Sequence, residues 1–180
     1  MENQRIRLTK TMLKDALITL LAEKSIEKIT VQALCAQAQI NRTTFYKYYG
    51  SQYDLLTDIE NDFFQALESY LSDVGELPER DCLTQIMEFL AASQDDYRVL
   101  LRSAVDQDFV GRLFSLSAVR RVLTRALSDQ FPPELTVYVY HFLCHGSYAV
   151  IRTWLEDGCK ESPGQMADLI YRIGSALHHS

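Results

Sequence analysis

The run Arg42-Thr43-Thr44-Phe45-Tyr46-Lys47-Tyr48 gathers a guanidinium, two hydroxyls, an ammonium and two phenols. Such groups donate to phosphate oxygens and read base edges, which is the chemistry of a DNA groove. Phe45 and the following Tyr49 are left to pack inward. Taken one at a time, Arg42 and Lys47 are as well read as solvated charges and the tyrosines as half-buried packing. It is their combination in one short, cationic and aromatic segment that favours binding.

A second cluster is His141, Cys144 and His145. Two histidines one helical turn apart could present metal ligands on one face. The stretch is not H-E-x-x-H and no carboxylate is placed to complete it, so a hydrogen-bonded core or pocket pair is the better reading and no metal is assigned. His141, Cys144 and Tyr148 are instead the polar groups expected in a small-molecule pocket between helices. No G-x-S-x-G, P-loop, G-x-G-x-x-G or kinase set occurs, and Ser147 lies in a helical segment where a nucleophile elbow cannot form. No catalytic residue and no cofactor are expected, so the chain reads as a non-enzyme.

Positioning the first cluster takes three helices. Leu13, Ala16, Leu17, Leu20 and Leu21 recur at three- and four-residue spacing and predict a helix over 9–22 with one buried face. Thr30 is placed to cap a second helix over 31–38, and Asn41 a third over 42–48, across the turn Gln39-Ile40-Asn41. Gly50 is expected to end the third in a left-handed conformation. Two short helices joined by a tight turn are helix-turn-helix architecture.

Ser51 with Asp54 makes a carboxylate variant of the capping box for a long amphipathic helix over 53–74. The stretch 75–78 is the clearest boundary, and helices are predicted over 80–92, 97–103, 109–128, 133–157 and 163–178, about nine helices in all. The last two carry the sharpest end signals, Asp157-Gly158 after one and Ser162-Pro163-Gly164-Gln165 before the next. Met166, Leu169, Ile170, Ile173 and Leu177 form an apolar stripe on the final helix. Two such helices, read as an antiparallel hairpin, carry more apolar surface than one small monomer can cover, which points to a homodimer through them.

Composition agrees. The 180 residues are 47% hydrophobic and 23% charged, in the globular range, and only 7 Gly and 4 Pro argue against a fold of many short strands. An all-α protein is expected. Net charge is −6, yet residues 1–56 carry +3 and the rest −9, as a polyanion-binding head on an acidic body would. The four cysteines are widely spaced with no C-x-x-C and read as reduced, mostly buried thiols. With no apolar leader at the amino terminus and no apolar run long enough for a membrane span, a cytoplasmic protein without membrane contact is expected.

The stretch Ile29-Thr30-Val31 through Ala36-Gln37-Ala38-Gln39-Ile40-Asn41-Arg42-Thr43-Thr44-Phe45-Tyr46-Lys47-Tyr48-Tyr49 to Leu55-Leu56 resembles the DNA-binding signature of the TetR/AcrR family of bacterial transcriptional regulators. The match covers about residues 6–56, while length and helix order resemble the family across the whole chain. The resemblance implies a helix-turn-helix DNA-binding domain over 1–50 and a helical-bundle domain for effector sensing and dimerisation over 51–180. It implies that Thr30 and Gln32 touch phosphate or a base, that Arg42, Thr43, Thr44 and Tyr48 face the major groove, and that Tyr46 and Lys47 hold the backbone. Its partners would be double-stranded DNA with a near-palindromic operator, a second copy of the chain through the last two helices, and a small-molecule effector.

Two positions depart from the family pattern: Gln39 stands where the turn usually has Gly, and Gln52 where a phosphate-binding Lys usually follows the recognition helix. The Gln52 variant and the Thr-Phe-Tyr-Lys-Tyr-Tyr run resemble the subgroup of dihydroxyacetone kinase operon regulators. Two other classes compete with the regulator: a helical scaffold binding proteins through its apolar last hairpin, and a small metal-dependent helical enzyme using His141 and His145.

Overall fold

The computed structural model describes residues 4–72, 77–103, 107–127 and 132–176. It is all-helical over them, with α1 (Gln4–Glu23), α2 (Val31–Ala38), α3 (Arg42–Tyr46), α4 (Gln52–Ser72), α5 (Glu79–Ala92), α6 (Gln94–Ser103), α7 (Gln107–Ser115), α8 (Ser117–Leu127), α9 (Pro133–Glu156) and α10 (Pro163–Ala176). One 3₁₀ turn, Ile26–Lys28, separates α1 from α2. No described helix is long and apolar enough to cross a membrane.

The chain divides into two compact units: residues 1–63 with 99–103, and residues 64–98 with 104–180. Two helices therefore change unit along their length, α4 between Phe63 and Phe64 and α6 between Arg98 and Val99.

In the first unit α1 buries Leu13, Ala16, Leu17, Leu20 and Leu21, the stripe anticipated from spacing. It packs on α2, which buries Leu34, Cys35 and Ala38. Phe45 is fully buried beneath α3. Val99, Leu100 and Leu101 are buried too, and the Arg102 guanidinium donates to the backbone oxygens of Leu21 (2.7 Å) and Ala22 (2.9 Å). These are last-turn carbonyls of α1, which lack partners inside the helix, so a cation from α6 caps it.

In the second unit α10 lies chiefly along α5 rather than along α9, and exposed Arg80 and Asp168 pair between α5 and α10. The expected hairpin of the last two helices is thus shared with α5, a neighbour that local apolar spacing could not indicate. The turn between α9 and α10 is held by Gly158 (φ 79°) and Cys159 (φ 51°), whose N–H groups donate to Leu155 O (3.1 Å) and Trp154 O (2.9 Å) in the Schellman pattern. The Trp154 indole donates to Glu161 O at 3.0 Å, and Ser162 and Gln165 form the anticipated reciprocal capping box.

The single helix expected over 109–128 is two, α7 and α8, broken at Leu116. Ser115 Oγ donates back to Arg112 O (2.7 Å), the local bond by which Ser competes with the helical ladder. The stretch 75–76, the start of the expected boundary, and Leu177 with the end of the expected last helix lie outside the described residues.

Candidate nucleic-acid interface

The helix-turn-helix is set by two caps and one strained residue. Thr30 is extended (φ −97°, ψ 151°) and its Oγ1 accepts from Ala33 N–H at 3.1 Å, starting α2. Asn41 is likewise extended, and its Oδ1 accepts from Thr44 N–H at 2.7 Å, starting α3. Between them Gln39 adopts the left-handed conformation (φ 55°, ψ 38°), with Gln39 N–H donating to Ala36 O (3.3 Å) and Ile40 N–H to Cys35 O (3.0 Å). The turn that glycine would make without strain is therefore made by Gln39 against its steric preference.

Gly50 behaves differently from expectation, because the described residue with positive φ among the glycines is Gly158, not Gly50. Its lack of a side chain serves close approach instead. A Cβ there would meet Asp54 Oδ2 at 2.9 Å, the same oxygen that accepts from Gly50 N–H (2.9 Å) and Ser51 N–H (3.1 Å). Asp54 N–H returns a bond to Ser51 Oγ at 3.3 Å, completing the carboxylate capping box at the start of α4. Gln52 is half-buried at the first residue of that helix.

Around this turn Thr30, Gln32, Arg42, Thr43, Tyr46 and Lys47 are exposed, and Thr44 and Tyr48 are half-buried. The Arg42 guanidinium stands 6.0 Å from the Tyr46 ring centroid, and Tyr46 meets Phe45 edge-on at 5.4 Å. α3 thus presents cation, hydroxyl and phenol outward while anchored by Phe45 inward. Burial pushes the Cys35 thiol above its ordinary value, an effect that nearby Arg42 partly offsets.

One polar network escaped the sequence reading. Lys14 Nζ on α1 meets Asp58 (2.9 Å) and Asp62 (2.6 Å) on α4, and the Tyr49 hydroxyl donates to Asp58 Oδ2 at 2.7 Å. Burial penalises the Lys14 ammonium, but its hydrogen bonds to the Asp62 and Asp58 carboxylates, with their negative charge, outweigh it and hold its pKa above the ordinary lysine value. Asp58 is likewise disfavoured by burial, yet Tyr49 and Lys14 hold it below the ordinary carboxylate range. Tyr49 lies 9 positions from Asp58, and Lys14 lies 44 and 48 positions from Asp58 and Asp62, beyond any helical repeat, so no local pattern could reveal them.

The His141, Cys144 and Tyr148 trio is divided: Cys144 and Tyr148 are buried, and His141 is exposed beside exposed His145. Burial pushes the Cys144 thiol up to about 11. Tyr148 faces Phe109 (6.3 Å), which tilts on Phe64 (4.9 Å), and Arg112 lies 4.4 Å over the Phe64 ring. Among the described residues no group of three or more His, Cys, Asp or Glu is arranged to hold a metal.

Residues 13–59 match the family model for bacterial regulatory proteins of the tetR family, and residues 80–175 match the model for the transcriptional regulator C-terminal region. The HTH-type regulator YxbF of Bacillus subtilis is 21% identical over 169 residues, 90% of this chain; the chain spans 43% of that relative's length. A TetR transcriptional regulator of Streptococcus agalactiae 2603V superposes with a TM-score of 0.74 at 26% identity, covering 95% of this chain and 96% of the other. The dihydroxyacetone kinase operon activator DhaS superposes at 0.55 with 18% identity, covering 94% and 96%, a likeness of fold that leaves the subgroup resemblance distant. With a capped helix-turn-helix under the first match and a helical unit under the second, the chain belongs to the TetR family of bacterial transcriptional regulators.

Proposed function

We propose that this chain is a cytoplasmic, homodimeric regulator that binds a near-palindromic operator through α3 and responds to a small-molecule effector. The observation that carries the reading is the outward set Arg42, Thr43 and Tyr46, with Lys47 at the C-cap, on a helix whose start is fixed by the Asn41 cap and whose inner face is fixed by Phe45. Arg42, Thr43, Thr44 and Tyr48 would read the major groove, Tyr46 and Lys47 would hold phosphates, and Thr30 and Gln32 would add contacts from α2. Residues 1–50 would act as the DNA-binding domain and 51–180 as the sensing and dimerisation domain.

A second copy is favoured by apolar surface that nothing among the described residues covers. On α9, Leu135, Val137, Tyr138 (70%) and Phe142 (64%) are exposed, as are Leu169, Tyr171 and Ile173 on α10. Gly146 sits in the middle of α9 with nothing within 4 Å of where a Cβ would be, so no neighbour among the described residues explains a residue that costs a helix about 1 kcal/mol. A helix of a second copy approaching closely there does explain it.

For the effector, the aromatic cluster of Phe64, Phe109 and Tyr148, with Arg112 over one ring and Cys144 beside Tyr148 on α9, supplies apolar walls and one cation. An effector that prefers one arrangement of the bundle would change operator affinity by about 5- to 150-fold, and DNA would change effector affinity by the same factor. The test is footprinting on the DNA upstream of the chain's own gene across a salt series. Two protected half-sites about 34–36 Å apart are expected, with affinity falling steeply with salt; protection that ignores sequence would overturn the reading.

A further inference from the structure

His141 and His145 have no use in the proposed function, yet their setting is specific. Both are exposed, their rings stack with centroids 6.1 Å apart and planes 21° from parallel, and neither makes a hydrogen bond or ion pair among the described residues. Tyr140 meets His141 edge-on at 5.9 Å. Two neutral imidazoles at i and i+4 of a helix form a bidentate chelate for a borderline divalent cation, each nitrogen about 2.0–2.1 Å from the ion. Modest side-chain rotation brings rings at this separation to that geometry.

One chain supplies half of a tetrahedral shell. No third ligand stands near among the described residues, and Cys144 lies buried as a thiol. The missing half has a source, because the pair flanks exposed Phe142 and adjoins Gly146, where the dimer reading places a second copy of α9. A two-fold contact is isologous, so an axis passing beside Gly146 sets the same two histidines of the second copy against the first pair. Four imidazole nitrogens are a complete ligand set for Zn²⁺.

We propose that His141 and His145 form half of a four-histidine site for a Zn²⁺-like cation, closed across the two-fold axis of the homodimer. This rests on the dimer reading. The ion joins two chains, so it tightens their association by mass action and leaves the operator-contacting helix untouched.

The test uses the full chain stripped with a chelator, then titrated with Zn²⁺, and with Co²⁺ as a spectroscopic probe. One ion per two chains, visible Co²⁺ bands of tetrahedral nitrogen ligation, and a dimer dissociation constant lowered about tenfold or more are expected. His141→Ala and His145→Ala should each abolish all three, while the His178→Ala/His179→Ala double variant should retain them. Both histidines of the site are exposed, so their variants fold, which thermal melts of the metal-free proteins check. Metal-free protein that sediments as a dimer but binds no Zn²⁺, or binds it equally in the His141→Ala variant, overturns the site and leaves the dimer standing. Protein that stays monomeric with and without Zn²⁺ overturns the dimer and the site with it.

Discussion

The Tyr49 hydroxyl donates to Asp58 Oδ2 at 2.7 Å, tying the segment between α3 and α4 to the second turn of α4. Lys14 of α1 meets the same carboxylate at 2.9 Å, so three segments of the DNA-binding head converge on Asp58. Removing that charge should loosen all three. Asp58→Asn is expected to destabilise the head by about 1 kcal/mol, the screened end of the range for charged hydrogen bonds. The folded pKa of Asp58 is depressed, so its stabilisation is present above the ordinary carboxylate value near about 4 and is lost as pH falls below it. Urea melts from pH 7 to pH 3 should show the gap between wild type and variant closing at the acid end. For Lys14, whose pKa is raised, the stabilisation is present up to the ordinary lysine value and fades as pH rises past it.

Operator binding should separate Arg42, the exposed cation of α3, from Lys47, which caps the end of that helix. Arg42→Ala is expected to cost about 1–3 kcal/mol and to relax discrimination at one base pair of each half-site, whereas Lys47→Ala should weaken all sequences alike and lower the salt slope by about one. Binding isotherms on operator and scrambled DNA at several salt concentrations make the measurement; equal losses on both DNAs for Arg42→Ala would assign it to the phosphates.

Two left-handed positions should respond with opposite signs. Gln39 (φ 55°) carries a side chain where glycine is unstrained, so Gln39→Gly is expected to raise stability by about 1 kcal/mol. Gly158 (φ 79°) makes the matching turn after α9, and Gly158→Ala should lower stability by a similar amount. Thermal unfolding checks both, and a destabilised Gln39→Gly would show that the Gln39 side chain contributes more than its strain costs.

Charge placed on the uncovered apolar face should prevent association. Phe142→Glu on α9 with Ile173→Glu on α10 puts carboxylates where the proposed seam would exclude water, and monomers with little operator affinity are expected. Sedimentation across a dilution series reads the oligomeric state, and an unchanged dimer would place the interface elsewhere.

What could be read from the sequence was whatever is encoded within a few residues. The Thr30 and Asn41 caps, the Ser51–Asp54 and Ser162–Gln165 boxes and the apolar stripe of α1 are all local, and the structure has each of them. Gln39 could be flagged for occupying a turn that needs positive φ, and it has one. Misreadings came at a local side-chain bond, Ser115 back to Arg112, and where distant residues decide. The break at Leu116 interrupts an amphipathic pattern that runs on through it, and α10 chooses α5 through contacts such as Arg80 with Asp168, 88 positions apart. Helix α6 as well as α4 passes from one unit to the other, and Arg102 was invisible as a cap because its carbonyl partners lie about 80 residues upstream.

The Arg102 cap bears on how the molecule can be cut and recombined. A head excised after residue 63 would lose the guanidinium that closes α1 together with buried Val99, Leu100 and Leu101, leaving two helix-end carbonyls without their cation and an apolar patch open to water. The head is therefore discontinuous in sequence, and grafting it onto the body of another regulator requires that residues 99–103 travel with it. Exchange of heads between relatives is constrained at Arg102, a residue outside the helix-turn-helix itself.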